Sequence, residues 1–275
     1  MRVDKEAYLI QQLHSAYIGD DAAVVGEMLY SMDAFFEGTH FKREWMTMAQ
    51  IGRKAMLVNI SDAIAMNALP LYALVTVSLP HTITNGEIDI LMQSLEQTAG
   101  AYGCEVIGGD TVAGEKLHLS IALISHSKAP LLRKGLKKGD LLAYTGVLGE
   151  SKRDLERLMN GESIPETSRF YEPVLQEDFV KRARPLLHAG MDISDGLYCD
   201  TNKLLDQNGY GFDILKNITE EEGFSGEEYE MLVGFEPSAS ERVREIAEQC
   251  GTTLTVFAQV AENHRRFPCK SHHFS

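Results

Sequence analysis

The chain is short of cysteine, tryptophan and basic residues. Its four cysteines, Cys104, Cys199, Cys250 and Cys269, are spaced for neither a paired-cysteine zinc site nor a disulfide framework, so we expect reduced thiols. Lysine and arginine number 26 against 40 acidic residues, which gives a formal net charge of -14. Nucleic acid is therefore a poor candidate ligand, because clustered cations bind its phosphates. A polyanionic ligand has to bring its own cations.

Long hydrophobic runs are also absent. Nowhere do eighteen apolar residues stand together, and the start of the chain lacks the apolar segment of a signal peptide. We therefore predict a cytoplasmic protein without a membrane span. The length of 275 residues allows two compact units. We predict an N-terminal unit over residues 1–132 and a C-terminal unit over residues 133–275.

Several common catalytic signatures are missing. Gly109 and Gly114 have the separation of a Walker phosphate loop, but Glu115 stands where that loop needs a lysine. The chain has no Gly-x-Ser-x-Gly nucleophile elbow and no paired-histidine zinc helix. The segment from Asp192 to Gly196 resembles a calcium loop, but its glycine is at the fifth position and no glutamate closes the loop.

Acidic motifs beside glycine or hydroxyl residues are what the chain does contain. There are five: Gly19-Asp20-Asp21, Ser31-Met32-Asp33, Asn59-Ile60-Ser61-Asp62, Gly108-Gly109-Asp110-Thr111 and Asp192-Ile193-Ser194-Asp195-Gly196. Any one of them alone is typical of a surface turn. Carboxylates gathered in one site repel each other unless hard cations lie between them. Together the motifs favour a site for magnesium and a polyphosphate.

The clearest predicted helix begins at Thr47, where Thr47 and Gln50 have capping-box spacing. Its apolar stripe follows a three-four repeat through Met48, Ile51, Ala55, Val58, Asp62, Ala65 and Leu69. Asp62 therefore projects from the apolar face, where a lone carboxylate is costly. Independent surface turns do not explain this position.

The other predicted elements alternate between strands and helices. A second amphipathic helix carries Ile88 and leads through a short buried strand, residues 105–107, into a turn at Gly108 and Gly109. Glycine at this point lets the backbone approach a ligand closely. Further strands are predicted over residues 72–79, 117–124, 141–145, 212–214 and 253–260.

In order and spacing, these motifs resemble the thiamine-monophosphate kinase family, part of the aminoimidazole ribonucleotide synthetase-like superfamily. The matching segments are residues 19–24, residues 33–41 ending Glu37-Gly38-Thr39-His40-Phe41, residues 54–66, residues 107–111, residues 133–139, residues 192–197, and Ser225-Gly226-Glu227-Glu228-Tyr229-Glu230. The resemblance covers nearly the whole chain. Selenophosphate synthetase and a hydrogenase-maturation enzyme belong to the same superfamily.

The resemblance implies a reaction and a fold. The γ-phosphoryl group of ATP passes directly, in line, to thiamine monophosphate, aided by several Mg²⁺ ions, and thiamine diphosphate forms. An attacking phosphate is already anionic, so no general base is assigned. The implied fold is a two-domain α/β protein. Residues 1–132 would form the metal-binding, ATP-binding and dimerisation domain, whose four-stranded sheet pairs with its copy across a homodimer to form a barrel. Residues 133–275 would form a C-terminal α/β domain that completes the ATP and substrate cleft. The apolar run from Leu74 to Leu79 agrees with that pairing, although a monomer can also bury such a strand.

The resemblance also implies roles for individual residues. The implied metal ligands are Asp21, Ser31, Met32, Asp33, Asp62, Asp110, Asp192 and Asp195, the ATP contacts are Tyr102, Gly109, Asp110, Arg133 and Ser194, and the substrate contacts are His40, Glu227 and Phe274. Met32 stands where the family often has threonine, which is harmless if that position uses its backbone carbonyl. Phe267 is a second candidate for the aromatic residue that the family stacks on its substrate.

Two other classes of function stay open from the residues. One is another ATP-using enzyme of the superfamily, either ligase-like or selenophosphate synthetase-like. The other is a non-catalytic sensor of ATP and magnesium that keeps the carboxylates without turnover. The acidic motifs do not separate these classes, whereas His40, Glu227 and the C-terminal aromatic residues bear on the choice.

Overall fold

The computed structural model of the chain describes residues 5–269, so the expected substrate contact Phe274 lies outside the described residues. The strands are β1 Ala23–Val25, β2 Met28–Phe36, β3 Leu69–Pro80, β4 Glu105–Gly114, β5 His118–His126, β6 Leu141–Thr145, β7 Leu187–Asp192, β8 Gly211–Ile214, β9 Met231–Phe235 and β10 Leu254–Ala261. The helices are α1 Lys5–Gln11, α2 Met48–Ala65, α3 Asn85–Ala101, α4 Glu150–Met159, α5 Glu177–Ala183, α6 Leu197–Asn208, α7 Glu220–Gly223 and α8 Ser240–Gln249, with 3-10 turns at Arg184–Leu186 and Pro237–Ala239. No helix in this part of the chain is long and apolar enough to cross a membrane.

The first sheet is built from residues 23–126 in the strand order β1-β2-β5-β3-β4. β3 and β4 run parallel, whereas the other neighbours are antiparallel. Helices α2 and α3 pack on one face and on each other. The opposite face exposes the apolar side chains of Tyr30, Met32, Tyr72 and Leu74. The resemblance implied four strands, but the short β1 adds a fifth, and the sheet stays open with β1 and β4 at its edges.

The second sheet is built from residues 141–261 in the order β7-β9-β6-β10-β8. All of its neighbouring strands are antiparallel. Its central strand β6 is almost entirely buried. β7 ends at Asp192, so the last acidic motif begins at an edge of this sheet.

Helix α2 begins where the capping box predicts. Thr47 Oγ1 accepts a hydrogen bond from the Gln50 amide at 3.3 Å, and Gln50 Oε1 accepts one from the Thr47 amide at 2.8 Å. The apolar members of the predicted stripe are buried from Met48 to Ala65. Leu69 does not continue that stripe, because it is the first residue of β3 and is 53% exposed. α2 also contacts β7 and α5, so the two halves of the chain meet at this helix.

Strand β4 differs from its prediction. The predicted short buried strand and glycine turn are wrong, because β4 continues through both glycines to Gly114 and is exposed along most of its length. Gly109 lies opposite Val75 in the parallel pairing with β3. A Cβ on Gly109, whose φ is 153°, would lie 1.8 Å from the Val75 carbonyl oxygen. Glycine at this position therefore allows close packing of the strands rather than ending β4.

The hydrophobic core crosses the predicted domain boundary. One cluster of buried side chains combines Ile51 and Ile60 of α2 with Phe179 of α5 and Val233 of β9. A second cluster fills the space between the second sheet and α6, and contains Leu204 and other residues of that half. The boundary between residues 132 and 133 stays our proposal, and the shared cluster indicates that the two units fold against each other.

The prediction of four reduced cysteines is wrong for one pair. Cys199, in the first half of α6, forms a disulfide with Cys269, 70 residues further along the chain. Cys104 and Cys250 are free thiols. Sequence spacing could not identify this pair, because the two residues meet only after the C-terminal segment has packed on α6.

Candidate active site

The polar residues of the motif Asn59-Ile60-Ser61-Asp62 bring three elements together. Asn59 Oδ1 accepts a hydrogen bond from the backbone amide of Asp33 on β2 at 3.1 Å. Ser61 Oγ donates to Asp192 Oδ2 at the end of β7 at 2.6 Å. Asp62 is the next residue of the same helix. The motif thus joins three predicted metal ligands, one from α2 and one from each sheet.

The electrostatics of these carboxylates indicate that they lie within one another's field. Burial raises the pKa of Asp62 well above its usual range, and the charges of Asp33, Asp192 and Asp21 raise it further. Burial is also the largest cause that raises the pKa of Asp192 to about 8, followed by the charge of Asp21. Each carboxylate therefore opposes the ionisation of the others.

Asp21 joins the cluster through Arg133. Burial raises the pKa of Asp21, and the guanidinium of Arg133 counters that rise. Arg133 Nε lies 3.1 Å from Asp21 Oδ1, and the Arg133 amide donates to Asp20 Oδ1 at 2.7 Å. The other carboxylate oxygen, Asp21 Oδ2, is buried and has no hydrogen-bond partner. Arg133, an expected ATP contact, thus binds a predicted metal ligand here.

The cluster fits a hard divalent cation in its chemistry. Its donors are carboxylate oxygens, which Mg²⁺ prefers, and the unpartnered Asp21 Oδ2 is a buried acceptor that a cation satisfies. As the side chains stand, no group of three or more His, Cys, Asp or Glu among residues 5–269 is arranged to enclose a metal ion. Arg133 binds one of the carboxylates, and Ser61 hydrogen-bonds another. Asp21, Asp33, Asp62 and Asp192 are therefore brought together without forming a closed coordination shell.

Two further predicted ligands, Ser31 and Met32, come from β2, the strand that carries Asp33. Side chains alternate along a strand, so Ser31 and Asp33 share the face towards α2. Met32 points to the opposite face, where 64% of the residue is exposed. The side chain of Met32 therefore does not face the cluster.

Asp110 lies apart from the cluster within one chain. It is exposed on edge strand β4, opposite Thr76 of β3. The same row continues through β5 to Ala34 of β2, the residue after Asp33. Three strand spacings of ~4.8 Å separate the ends of this row by roughly 14 Å. The structure thus does not bring Asp110 to Asp33.

Asp195 is already paired with a lysine side chain of the same chain. Lys203 Nζ pairs with Asp195 Oδ2 and lies 3.0 Å from Asp200 Oδ1. Asp200 Oδ2 in turn accepts hydrogen bonds from the amides of Ser194 and Asp195, at 3.1 and 3.0 Å. Burial raises the pKa of Asp200 to about 6, a rise that the ammonium of Lys203 limits. Asp200 therefore holds the turn that carries the two predicted site residues.

The expected ATP contacts occupy different surfaces of the chain. Tyr102 ends α3 and lines a cavity of about 490 Å³ with Arg53, Thr98 and Glu172. Burial raises the pKa of Tyr102, and the charges of Glu177 and Glu172 add to the rise. Gly109 and Asp110 line a second groove of about 530 Å³ between β3, β4 and α3. None of the clustered aspartates on α2, β2 or β7 lines either space.

The two expected substrate contacts, by contrast, meet at one place. The ring of His40 stacks on Phe35 with centroids 5.8 Å apart, and its Nδ1 accepts a hydrogen bond from the Phe36 amide at 3.0 Å. That bond places the ring proton of neutral His40 on Nε2. Lys54 Nζ lies 6.0 Å from the centroid of the same Phe35 ring and 2.6 Å from Glu227 Oε2. His40 and Glu227 thus flank one aromatic and cationic cluster.

The segment between α7 and β9 combines two residues in the left-handed backbone conformation with one fully buried glutamate. Glu227 and Tyr229 have left-handed φ angles of 55° and 54°, and their amides donate to the carbonyls of Ser194 and Ile193 beside the acidic motif. Glu228 is fully buried instead, and its Oε1 accepts from the Gly149 amide at 2.8 Å. This backbone conformation is uncommon for residues other than glycine. The segment is thereby held against the end of β7.

Tyr229 links the substrate contacts to the acidic cluster. Burial raises its pKa well above the usual range, and Glu227, Asp33, Asp192 and Asp62 add to the rise in that order. The phenol therefore lies in the field of both groups. Sequence analysis assigned no role to Tyr229, because its environment depends on four segments of the chain.

The second aromatic candidate, Phe267, is occupied within the fold. Its ring stacks on Tyr198 with centroids 4.5 Å apart and on Phe212 with centroids 4.3 Å apart. Asn202 binds the backbone of Phe267 through both its amide nitrogen and its oxygen. Phe267 therefore anchors the C-terminal segment and does not present a face to a substrate.

Other residues that matter to the site were given no role from the sequence. They are Lys54, Asn59, Ser61, Asp200 and Lys203. Asn59 and Ser61 did carry a signal, since both are polar residues in the middle of an apolar helix. Asp200 and Lys203 have the three-residue spacing of a helical ion pair, whereas the partner of Lys54 lies 173 residues away.

Comparison with known proteins shows which family and which structures this chain resembles. Residues 19–126 match the family described as AIR synthase related protein, N-terminal domain. The thiamine-monophosphate kinase of Aquifex aeolicus (strain VF5) is 32% identical over 248 residues, which cover 80% of this chain and 81% of that protein. The chain belongs to the thiamine-monophosphate kinase family. The resemblance stated from the motifs is thereby confirmed.

Solved structures inside and outside this family share the fold. AaThiL complexed with AMPPCP and TMP has a TM-score of 0.84 and 28% identity, over 94% of this chain and 90% of that chain. E. coli HypE, a hydrogenase maturation protein, has a TM-score of 0.72 and 17% identity, over 94% and 91%. At that identity the second likeness shows the fold alone. The mixed α/β fold expected from the sequence is confirmed.

Proposed function

We propose that this protein phosphorylates thiamine monophosphate to thiamine diphosphate with ATP as the phosphoryl donor. The observation that carries the proposal is the acidic cluster of Asp33, Asp62 and Asp192, which lies beside the segment that holds Glu227. A relative at 32% identity is named thiamine-monophosphate kinase, and a related structure was described with an ATP analogue and TMP. These likenesses favour the same substrates for this chain.

Magnesium belongs to this proposal as the resident cofactor. Asp21, Asp33, Asp62 and Asp192 would hold it, with the backbone carbonyl of Met32 as a further oxygen donor. When bound, the ions supply charge neutralisation for two polyanions and hold them in line. No general base is assigned, because an anionic phosphate nucleophile has no proton to lose.

Side chains of the protein itself would neutralise the phosphates and bind the substrate. Arg133 neutralises Asp21 and can turn to a phosphate when a cation replaces it at that carboxylate. Glu227 offers negative charge to the cationic rings of thiamine, and His40 offers its Nε2 proton. The Ser194–Asp195 turn, held by Asp200 and Lys203, presents backbone and hydroxyl groups near the end of β7.

A homodimer completes the proposed site. Asp110, Gly109 and Tyr102 are candidate ATP contacts that do not reach the acidic cluster within one chain. A second copy placed on the apolar outer face of the first sheet, which exposes Tyr30 and Leu74, would cover that face. Closure of the two sheets into a barrel belongs to this proposal, as does direct in-line transfer. A cytoplasmic location is included, because the reaction draws on the cell's ATP.

A product assay tests the proposed function. Purified protein is incubated with ATP, Mg²⁺ and thiamine monophosphate, and the thiamine phosphates are separated, with thiamine and a sample without acceptor run in parallel. We expect thiamine diphosphate from the monophosphate only. ATP consumption that depends on a different acceptor would favour a ligase-like or selenophosphate synthetase-like enzyme. ATP and magnesium binding without any product would favour the sensor.

A further inference from the structure

Lys54 is a buried lysine that the proposed reaction has not yet used. It lies on α2, and its side chain has no solvent exposure. Its ammonium is 2.6 Å from Glu227 Oε2 and 4.0 Å from the centroid of the Phe170 ring. A buried ammonium is costly unless a carboxylate and further favourable contacts compensate it. Glu227 supplies the first, and the face of Phe170 supplies a cation–π contact.

The partner carboxylate is anchored but not enclosed. Glu227 is 173 residues from Lys54 in the chain, and 30% of its side chain is exposed. Its backbone is fixed at a left-handed φ of 55°, with its amide bonded to the Ser194 carbonyl at 2.8 Å. One oxygen of this carboxylate is held by Lys54, and the side chain is partly open to solvent. The carboxylate can therefore present its negative charge to a ligand.

Lys54 itself is not placed to touch that ligand. Its side chain is fully buried against Phe170 and Glu227, and a cationic ring would be repelled by an ammonium. Its effect on a ligand must therefore pass through Glu227. Removal of the ammonium would free the glutamate to rotate and would leave its charge partly buried without a partner.

We propose that Lys54 is a positioning residue that fixes Glu227 for the cationic ring system of the phosphate-ester substrate. This inference rests on the proposed function, since Glu227 is the expected substrate contact there. It assigns the preference for a cationic ester over a neutral one to the Lys54–Glu227 pair. The Lys54–Glu227 pair should affect neither the affinity for ATP nor the acidic cluster.

A double-mutant cycle separates positioning from a structural role. Lys54→Met, Glu227→Gln and the double variant are compared with the wild type for KM of thiamine monophosphate, KM of ATP, kcat and thermal stability. For Lys54→Met we expect KM for the thiamine ester to rise at least about tenfold, since truncating one partner of a buried charge pair is costly. KM for ATP should stay within about twofold. In the Glu227→Gln background, Lys54→Met should raise KM little further, because the two changes act as one unit.

Lys138→Met is the matched control. Lys138 Nζ lies 2.7 Å from Glu262 Oε2, but both side chains are largely exposed, so the same substitution breaks the same kind of pair elsewhere. We expect no change in either KM. If Lys54→Met does not fold, Phe170→Leu takes its place, because it removes the ring beneath the ammonium and keeps the charge. It should raise KM for the thiamine ester and leave KM for ATP unchanged.

The outcomes are distinguishable. Additive effects of Lys54→Met and Glu227→Gln on KM, or loss of stability in Lys54→Met with KM unchanged, would overturn the positioning role alone. An unchanged KM in Phe170→Leu would do the same where that variant stands in. A wild type that makes no thiamine diphosphate would overturn the proposed function first, and this inference with it.

Discussion

Ser61 Oγ and Asp192 Oδ2 lie 2.6 Å apart, although 131 residues separate them in the chain. The serine is on α2, against the first sheet, and the aspartate ends β7 of the second sheet. Their hydrogen bond is buried and holds a carboxylate whose pKa is raised to about 8 chiefly by burial. The acidic cluster is therefore a property of the junction between the two halves, and its function depends on their correct packing.

Loss of charge at Asp62 should stop the reaction without unfolding the protein. Asp62→Asn keeps the shape of the side chain, and we expect kcat to fall by on the order of 100-fold or more, the scale seen when one electrostatic stabiliser is removed. Without metal, the variant should be at least as stable as the wild type, because a repulsive charge is gone. Steady-state kinetics and thermal unfolding measure both effects. Asp89→Asn, on the exposed face of α3, is the control, and a near-normal rate for Asp62→Asn at saturating Mg²⁺ would contradict the account.

Stability in a chelator should fall as pH rises. The pKa of Asp192 is about 8 in the folded protein, against ~3.9 for an unfolded aspartate. The folded state therefore binds this proton more tightly. The stability that the proton provides is present at low pH and is lost as pH rises through about 8. We expect the free energy of unfolding in EDTA to decrease from pH 6 to pH 8.5, by up to about 1.4 kcal/mol per pH unit for one proton.

Two controls accompany this pH series. Asp192→Asn should weaken the dependence, because one of the titrating groups is absent. Mg²⁺ should also flatten it, since a cation stabilises the ionised carboxylates of the folded state only. Urea unfolding at four pH values gives the free energies. A wild-type stability that increases from pH 6 to pH 8.5 in EDTA would be incompatible with raised carboxylate pKa values.

A methyl group at Gly109 should destabilise the first sheet. Its Cβ would lie 1.8 Å from the Val75 carbonyl oxygen, so β4 would have to move away from β3. We expect Gly109→Ala to cost about 2–4 kcal/mol in the free energy of unfolding, within the range for backbone strain and overpacking. Gly86→Ala is the matched control, because no atom lies within 4 Å of its added Cβ. Urea denaturation should show no loss for Gly86→Ala, and an equal effect of the two variants would refute the packing explanation.

The C-terminal segment should depend on its disulfide. Cys199 and Cys269 are joined close to the stack of Phe267 on Tyr198, so the bond and the stack hold the same segment. We expect Cys269→Ser to lower the free energy of unfolding by about 2–5 kcal/mol, the usual effect of a native disulfide. Thermal unfolding without reductant measures the change, and Cys250→Ser is the control. Four free thiols in unreduced, denatured protein would show that the bond does not form.

The rate of alkylation should distinguish the two free cysteines, Cys104 and Cys250. Burial raises the pKa of the Cys104 thiol to about 11, whereas Cys250 is partly exposed. Because the thiolate is the reactive form, Cys104 should react slowly with an alkylating agent at pH 8 in the native protein. Mass spectrometry after brief alkylation should find Cys250 modified first. Equal modification of both residues would contradict the burial of Cys104.

Local patterns in the sequence predicted the parts of the fold that depend on neighbouring residues. The Thr47–Gln50 capping box placed the start of α2, and the apolar stripe identified Asp62 as an unusual carboxylate. The family could also be inferred, because its motifs are short segments in a fixed order. Each of these features depends on residues that are close together in the sequence, so it could be recognised without knowledge of the tertiary packing.

Features that depend on distant partners could not be predicted in this way. The exposure of β4 follows from its position at the edge of the sheet, which the order of elements did not reveal. The Cys199–Cys269 bond and the Lys54–Glu227 pair join segments 70 and 173 residues apart. The expected ATP contacts Tyr102 and Gly109 stay predictions, since the described chain alone does not bring them to the acidic cluster.

Crystals grown with Mn²⁺ and a non-hydrolysable ATP analogue would test the central claim, that Asp33, Asp62 and Asp192 form a shared cation site. Anomalous scattering at the manganese edge locates the ions independently of the protein coordinates. The account predicts at least one Mn²⁺ within about 2.5 Å of oxygens from two or more of these carboxylates. Manganese bound only at surface acids, with these three aspartates free of it, would contradict the account.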